Sequence, residues 1–346
     1  MMHGGDIYRN RVTLDFSVNI NPKGIPDSVN AVMATSIFDI DKYPDMECEN
    51  LREALEQKLS VPRERILCGN GLSELILAIC HAKRPETALL VAPTFEGYET
   101  ALNAVGTRIS YYFLKEEERF ELTYGIIDRI KEEKPEIVFI CNPNNPTGRL
   151  VEKNLMYDIA RVCDEENAIF VVDECFMELV SKLREYTMVK LEKLFKNMII
   201  LRTFSEVYGI PGIRLGYGIF STEELRDEVA RHISEWGVSQ MAQNVGVVAL
   251  RERSFLDYSS KIIEDERLHL TSKLVEFGMV LYPSQANFIL LKEKKYDLYH
   301  KLLEKEILIR DCKDMMGLER GFYRVAIRKH QENSILIRKL AEIYGQ

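Results

Sequence analysis

Four strings in this 346-residue sequence place glycine or polar residues where an apolar run gives way to a loop or helix. They are GNGLSE (69–74), NPNNPTG (142–148), VVDECF (171–176) and LRTFSEVYGIPGIRLGYG (201–218). In the first, Gly71, Leu72 and Ser73 would turn backbone N–H groups outward at a helix start, an arrangement suited to a phosphate. The plainer reading is a capped turn with Ser73 as N-cap. In the second, two prolines and a glycine fix an irregular loop that directs asparagine amides; the plainer reading is a rigid turn. In the third, Asp173 ends a strongly apolar run, where a carboxylate is costly without a cation or N–H partner. A protonated pyridine nitrogen would serve, and so would a buried salt bridge. In the fourth, Thr203, Ser205 and Arg214 form a second set of groups suited to a phosphate. Near the C-terminus, FYRVAIR (322–328) puts Arg324 and Arg328 on one face by period-two alternation, as anion ligands or as surface ion pairs.

Elements must carry these residues to one place. From about 66 to 220, apolar runs of strand length alternate with helical patterns: strands at 66–69, 88–92, 108–114, 136–142, 168–174, 198–203 and 214–220. That predicts an α/β fold with a mainly parallel sheet covered on both faces. Such sheets bind ligands at the carboxyl ends of their strands. Residues 222–276 read as long helices with few breaks. Strands at 287–292, 307–311 and 322–328, a helix at 295–305 and a terminal helix from 331 complete a smaller α+β unit. The expected division is a large domain over 40–245, and a small domain joining 1–39, as an N-terminal arm, to 246–346.

The composition narrows the field. With 46% hydrophobic and 29% charged residues, the chain is too apolar for disorder. A net charge of -8 argues against a nucleic-acid partner. No run is long and apolar enough for a membrane helix, and no secretory signal is visible, so a cytoplasmic protein is expected. The seven cysteines show no CxxC and the six histidines no paired spacing, which suggests reduced, buried thiols and no metal site.

Taken together, the motifs resemble the fold-type-I enzymes of pyridoxal 5′-phosphate (PLP), the class I/II aminotransferase superfamily. The branch is that of histidinol-phosphate aminotransferase and L-threonine-O-3-phosphate decarboxylase. Similarity to the decarboxylase runs through HGG (3–5), LDFSVNINPKGIP (14–26), KYPD (42–45), GNGLSE, PNNPTG, DECF, YGIPGIRLGY (208–217), ILIRDC (307–312) and YRVAIR (323–328). The resemblance implies that Asp173 keeps the pyridine nitrogen protonated, Asn145 meets the ring 3-hydroxyl and Phe95 stacks on the ring. It implies that Gly71, Leu72, Ser73, Thr203, Ser205 and Arg214 cradle the phosphate, with Tyr43 reaching in from the partner subunit of a homodimer. Arg324 would bind the substrate α-carboxylate, and the segment around Asn19 and Asn21 would close over it. Phe176, where aminotransferases of this branch usually have tyrosine, and Arg328, suited to a substrate phosphate, lean toward the decarboxylase. Histidinol-phosphate aminotransferase activity is the alternative. The implied roles are cobalamin and histidine biosynthesis, respectively.

One position departs from the family. Its T-x-S-K-x-Y/F-G motif carries the Schiff-base lysine, but here the segment reads Thr203-Phe204-Ser205-Glu206-Val207-Tyr208-Gly209, and no lysine occurs between 197 and 260. A carboxylate cannot form an imine with the cofactor aldehyde, so PLP is expected to bind noncovalently. The group that should serve as both nucleophile and acid–base catalyst is replaced. Three readings follow: an atypical PLP protein with Glu206 as acid or base, a lysine-less pseudoenzyme that only binds ligand, and a substitution or sequence error on an otherwise normal enzyme.

Overall fold

The computed structural model describes residues 4–345; His3 of the HGG string lies outside the described residues. Its main sheet has seven strands. In spatial order they are Ile66–Gly69, Gly216–Phe220, Met198–Thr203, Ile169–Asp173, Ile137–Cys141, Thr87–Ala92 and Arg108–Phe113. The last five run parallel, while Gly216–Phe220 is antiparallel to both its neighbours. The apolar runs are continuous because both faces are covered. Val138, Ile140, Phe170, Val172 and Ile200 point into one core. Ile137, Phe139, Ile169, Val171, Ile199 and Leu201 point into the other.

A smaller antiparallel sheet follows, in the order Arg310–Asp311, Phe322–Ala326, Phe288–Lys292, Val280–Leu281. Leu14–Asp15 pairs in parallel with Ile307–Leu308, so the N-terminal segment is tied to the C-terminal region.

Three expectations need correction. The 307–311 run is not one strand: Ile307–Leu308 joins the N-terminal segment, Arg310–Asp311 joins the four-stranded sheet, and the chain changes sheets at Ile309. The helical stretch after 222 is broken into Glu223–Ala230, Gln240–Ala249 and Arg253–Glu276. The first break holds Trp236 at a positive φ, and Ser239 then caps the next helix by accepting from the Ala242 N–H at 3.2 Å. Finally, the strand carrying Arg324 ends at Ala326, so the alternation does not extend to Arg328.

Candidate active site

The parallel strands end in the residues of the site. Cys141, Asp173 and Thr203 close their strands, and Cys141 and Asp173 are cross-strand partners. The main chain therefore delivers them to the sheet's carboxyl edge, where ligands of such folds bind. They border a cleft of about 520 Å³, part of it open to solvent. Leu72, Ser73, Phe95, Asn145, Phe176, Ser205, Glu206 and Arg214 complete its lining. That size is in the usual range of roughly 300–1,000 Å³ for small-ligand pockets.

One end is built for a phosphate. Gly71, at φ 79° and ψ 171°, is the N-cap of helix Leu72–Lys83. Ser73 is therefore the second helical residue rather than the cap, and its hydroxyl is exposed to the cleft. Glu74 fixes the turn by accepting from the Asn70 N–H at 2.6 Å. Across it lies Arg214, also at positive φ, whose Nη1 donates to the Pro211 carbonyl at 3.1 Å. A Cβ on Gly71 would sit 2.4 Å from Arg214 Nη2, so only glycine lets the guanidinium close over the helix start. Thr203 and Ser205 stand beside it, with the Ser205 N–H on Thr203 Oγ1 at 3.0 Å.

The other end holds Asp173. It accepts from Tyr98 Oη at 2.5 Å and from the Cys175 N–H at 2.9 Å. Burial pushes its carboxyl above the usual carboxylate value, while these donors pull it partly back. The neighbouring carboxylate takes the salt bridge instead: Glu174 pairs with Arg202 at 2.7 Å, both fully buried, and accepts from Thr187 Oγ1 at 2.7 Å. Strand alternation thus separates a structural carboxylate from one facing the cleft. Among the described residues Asp173 makes no ion pair with a Lys, Arg or His within 4 Å.

Glu206 also lines the cleft and is only half-buried. Burial pushes its carboxyl up and the charge of Asp173 adds to this, while its own backbone N–H, Arg214 and Thr203 act against it. Its carbonyl accepts the Asn21 N–H at 2.9 Å. The Asn21 side chain does not face the cleft. It is buried, donating to the Val207 carbonyl at 2.8 Å and to Ser259 Oγ at 2.9 Å, and so clamps the N-terminal arm onto the Glu206 segment.

Asn144 and Asn145 divide the work of their loop. Asn144 braces it, donating to the Pro93 carbonyl at 2.9 Å and to Thr147 Oγ1 at 3.0 Å. Asn145 accepts from Arg324 Nη1. Arg324 is buried, with Nη2 on the Ser17 carbonyl at 2.5 Å and Nε without a partner. No carboxylate neutralises it within 4 Å among the described residues; burial above all, and nearby Arg310, pull its pKa down to about 10. Such a cation is suited to an incoming carboxylate. The two arginines read together from the sequence have parted. Arg328 lies beyond the strand, outside the cleft lining, and pairs with Glu332 at 3.0 Å. Tyr43 is 81% exposed, with its ring 5.0 Å from that of Trp236, and does not reach the cleft of its own chain.

Phe95 lines the cleft and meets Tyr98 edge-on at 5.4 Å. Gly97 makes room for it: a Cβ there would fall 2.3 Å from the Phe95 ring. Phe176 packs edge-on against Phe288 at 5.1 Å, and the Arg324 guanidinium sits 5.5 Å from the Phe288 ring centre. Sequence reasoning missed Tyr98, although it lies in the same PTFEGY string as Phe95. It also missed that Cys141 and Cys175 meet beside Asp173, their potential ligand atoms within 4.8 Å of one another. Strand register, not spacing, brings these together, and burial keeps the Cys175 thiol well above its usual value.

The comparisons with known proteins bear on the family and the fold. The threonine-phosphate decarboxylase of Salmonella typhimurium is 33% identical over 353 residues, covering 99% of this chain and 96% of that protein. A histidinol-phosphate aminotransferase of Ruminiclostridium cellulolyticum is 31% identical, covering 96% and 92%. Among solved structures, the histidinol-phosphate aminotransferase of Clostridium acetobutylicum superposes with a TM-score of 0.89 at 28% identity, covering 96% and 99%. The profile of the family described as aminotransferase class I and II matches residues 11–340, and the chain belongs to that family.

Proposed function

We propose that the cleft holds PLP, the cofactor of this family, noncovalently and acts on an α-amino acid or amine that carries a phosphate, with decarboxylation of O-phosphothreonine as the first reading. The observation that carries it is Arg324, a buried guanidinium with no carboxylate of its own, set beside Asn145 at the cleft's edge. The residues present fit the cofactor at three points. Gly71, Leu72, Ser73, Thr203, Ser205 and Arg214 match its phosphate, the cation-free Asp173 its ring nitrogen, and Phe95 its ring face. When bound, PLP supplies an electron sink for the bond broken at the substrate Cα.

The chain's own residues do the rest. Arg324 orients the substrate by its α-carboxylate, and Asp173 holds a proton at the ring nitrogen. Glu206, which lines the cleft at the position of the family's lysine, is the candidate group to carry the single proton the substrate needs. Decarboxylation needs a single protonation at the substrate Cα, so it tolerates a carboxyl group in place of lysine better than amino transfer does. Arg328 is the candidate ligand for the substrate phosphate and must exchange Glu332 for it. The stretch 36–46 exposes Ile37, Phe38, Ile40, Tyr43 and Met46, which supports a homodimer whose partner brings Tyr43 to the phosphate. Residues 40–245 would then form the large domain, and 1–39 with 246–346 the small one.

The test is product formation at saturating PLP. Release of CO₂ from O-phosphothreonine without amino transfer to 2-oxoglutarate supports the decarboxylase. Amino transfer from histidinol phosphate favours the second reading, which rests on the 31% identity to the aminotransferase. PLP binding without either product makes the chain a lysine-less binding protein. Equal activity on threonine and O-phosphothreonine, or no selective loss in Arg328→Ala, refutes the role given to the phosphate.

A further inference from the structure

The charges of the cleft specify its ligand more closely than the family does. One end is a phosphate cradle closed by Arg214. The walls carry two carboxylates, Asp173 and Glu206, and among the described residues neither has an ion-pair partner within 4 Å. Arg202, the buried arginine nearest in sequence, is already committed to Glu174. A ligand that matches this part of the cleft therefore carries one phosphate and two cationic centres, while Arg324, on Asn145 at the cleft's edge, is left for a substrate carboxylate. PLP offers only one, its protonated ring nitrogen, because its aldehyde has no proton to donate. A carboxylate beside the aldehyde gains no bond from it.

We infer that the cleft selects the amine form of the cofactor, pyridoxamine 5′-phosphate, with Glu206 receiving its aminomethyl ammonium and Asp173 its pyridinium. This rests on the reading of the cleft as a vitamin B6 phosphate site and adds which form it holds most tightly. Glu206 is half-buried, so the carboxylate–ammonium hydrogen bond forms at the border of the protein, where the lower dielectric makes it stronger than in bulk water. A charge-assisted hydrogen bond of this kind corresponds to about a tenfold to hundredfold gain in affinity. It follows that the amine form competes with PLP and slows any PLP-dependent turnover.

The experiment is a calorimetric titration of the purified protein with three phosphates of the same ring: pyridoxamine 5′-phosphate, 4-deoxypyridoxine 5′-phosphate and PLP. 4-Deoxypyridoxine 5′-phosphate carries a methyl group in place of the aminomethyl group and has no donor there, so it reads phosphate and ring recognition alone. The expected result is about tenfold to hundredfold tighter binding of pyridoxamine 5′-phosphate than of the other two. In Glu206→Gln that advantage should collapse, with 4-deoxypyridoxine 5′-phosphate still binding as in the wild type to show an intact cleft. Equal affinities in the wild type overturn the inference while leaving the B6 phosphate reading in place. An amine advantage that survives Glu206→Gln also overturns it, because another group then reads the ammonium. If none of the three binds, the B6 phosphate reading itself fails.

Discussion

Replacing Gly71 by alanine should separate two jobs that one residue performs. Its φ of 79° with ψ of 171° lies in a region that essentially only glycine occupies, so any side chain costs about 1–3 kcal/mol of folding stability. The new Cβ would also lie 2.4 Å from Arg214 Nη2 and 3.0 Å from Cζ. Arg214 is exposed, so its tip relieves the clash by moving off the helix start. That removes one charge-assisted donor from the phosphate cradle, worth roughly 1.5–3 kcal/mol, or about a tenfold to hundredfold loss of affinity. Urea unfolding reads the first effect and titration with pyridoxine 5′-phosphate the second. Two other glycines act as controls. Gly106 shares the positive φ, at 81°, but has open space around its Cβ position, so Gly106→Ala should lose stability and keep affinity. Gly212 has neither constraint, so Gly212→Ala should be close to neutral in both. Wild-type affinity in Gly71→Ala would refute the cradle.

Three further outcomes are expected. Arg202→Leu leaves Glu174 charged and unpaired in the core and should cost about 3–5 kcal/mol in urea unfolding, recovered in part by adding Glu174→Gln; a loss below about 1 kcal/mol would contradict the buried pair. Asp173 binds its proton more tightly in the folded, ligand-free chain than in the unfolded one, because burial raises its carboxyl. Stability from this group is therefore full below the unfolded value, near 4, and falls as pH rises toward the raised folded value. Asp173→Asn should then be more stable than wild type at pH 7, with the difference shrinking toward about pH 3; a pH-independent difference would sink this reasoning. Glu206→Lys places an amine in the cleft, so borohydride treatment with PLP should fix the cofactor to the variant but not to the wild type, read by intact mass. A variant left unmodified would mean that position 206 does not face the cofactor aldehyde.

Much of this protein is legible in its sequence, because the determining interactions are local. Short, β-branched apolar runs such as FVVD and MIILRT indicate strands buried on both faces, and their alternation with helices predicts a mainly parallel sheet with its site at the carboxyl edge. Ser73, Asn145, Asp173 and Glu206 stand at or just beyond the ends of those elements, so their position along the chain already places them in one cleft. What the sequence could not reveal depends on register and on competition between partners. Only the fold shows that Glu174 rather than Asp173 takes the arginine, that Tyr98 supplies the carboxylate's donor, and that Cys141 meets Cys175. Only the fold ends a strand at Ala326, which leaves Arg324 buried without a carboxylate and turns Arg328 to Glu332. Period-two alternation holds only while the strand lasts, and where a strand stops is decided by neighbours distant in sequence. Asn21 shows the same limit: the family resemblance implied that its segment closes over the substrate, but its hydrogen bonds to Val207 and Ser259, 186 and 238 residues away, are made by tertiary packing.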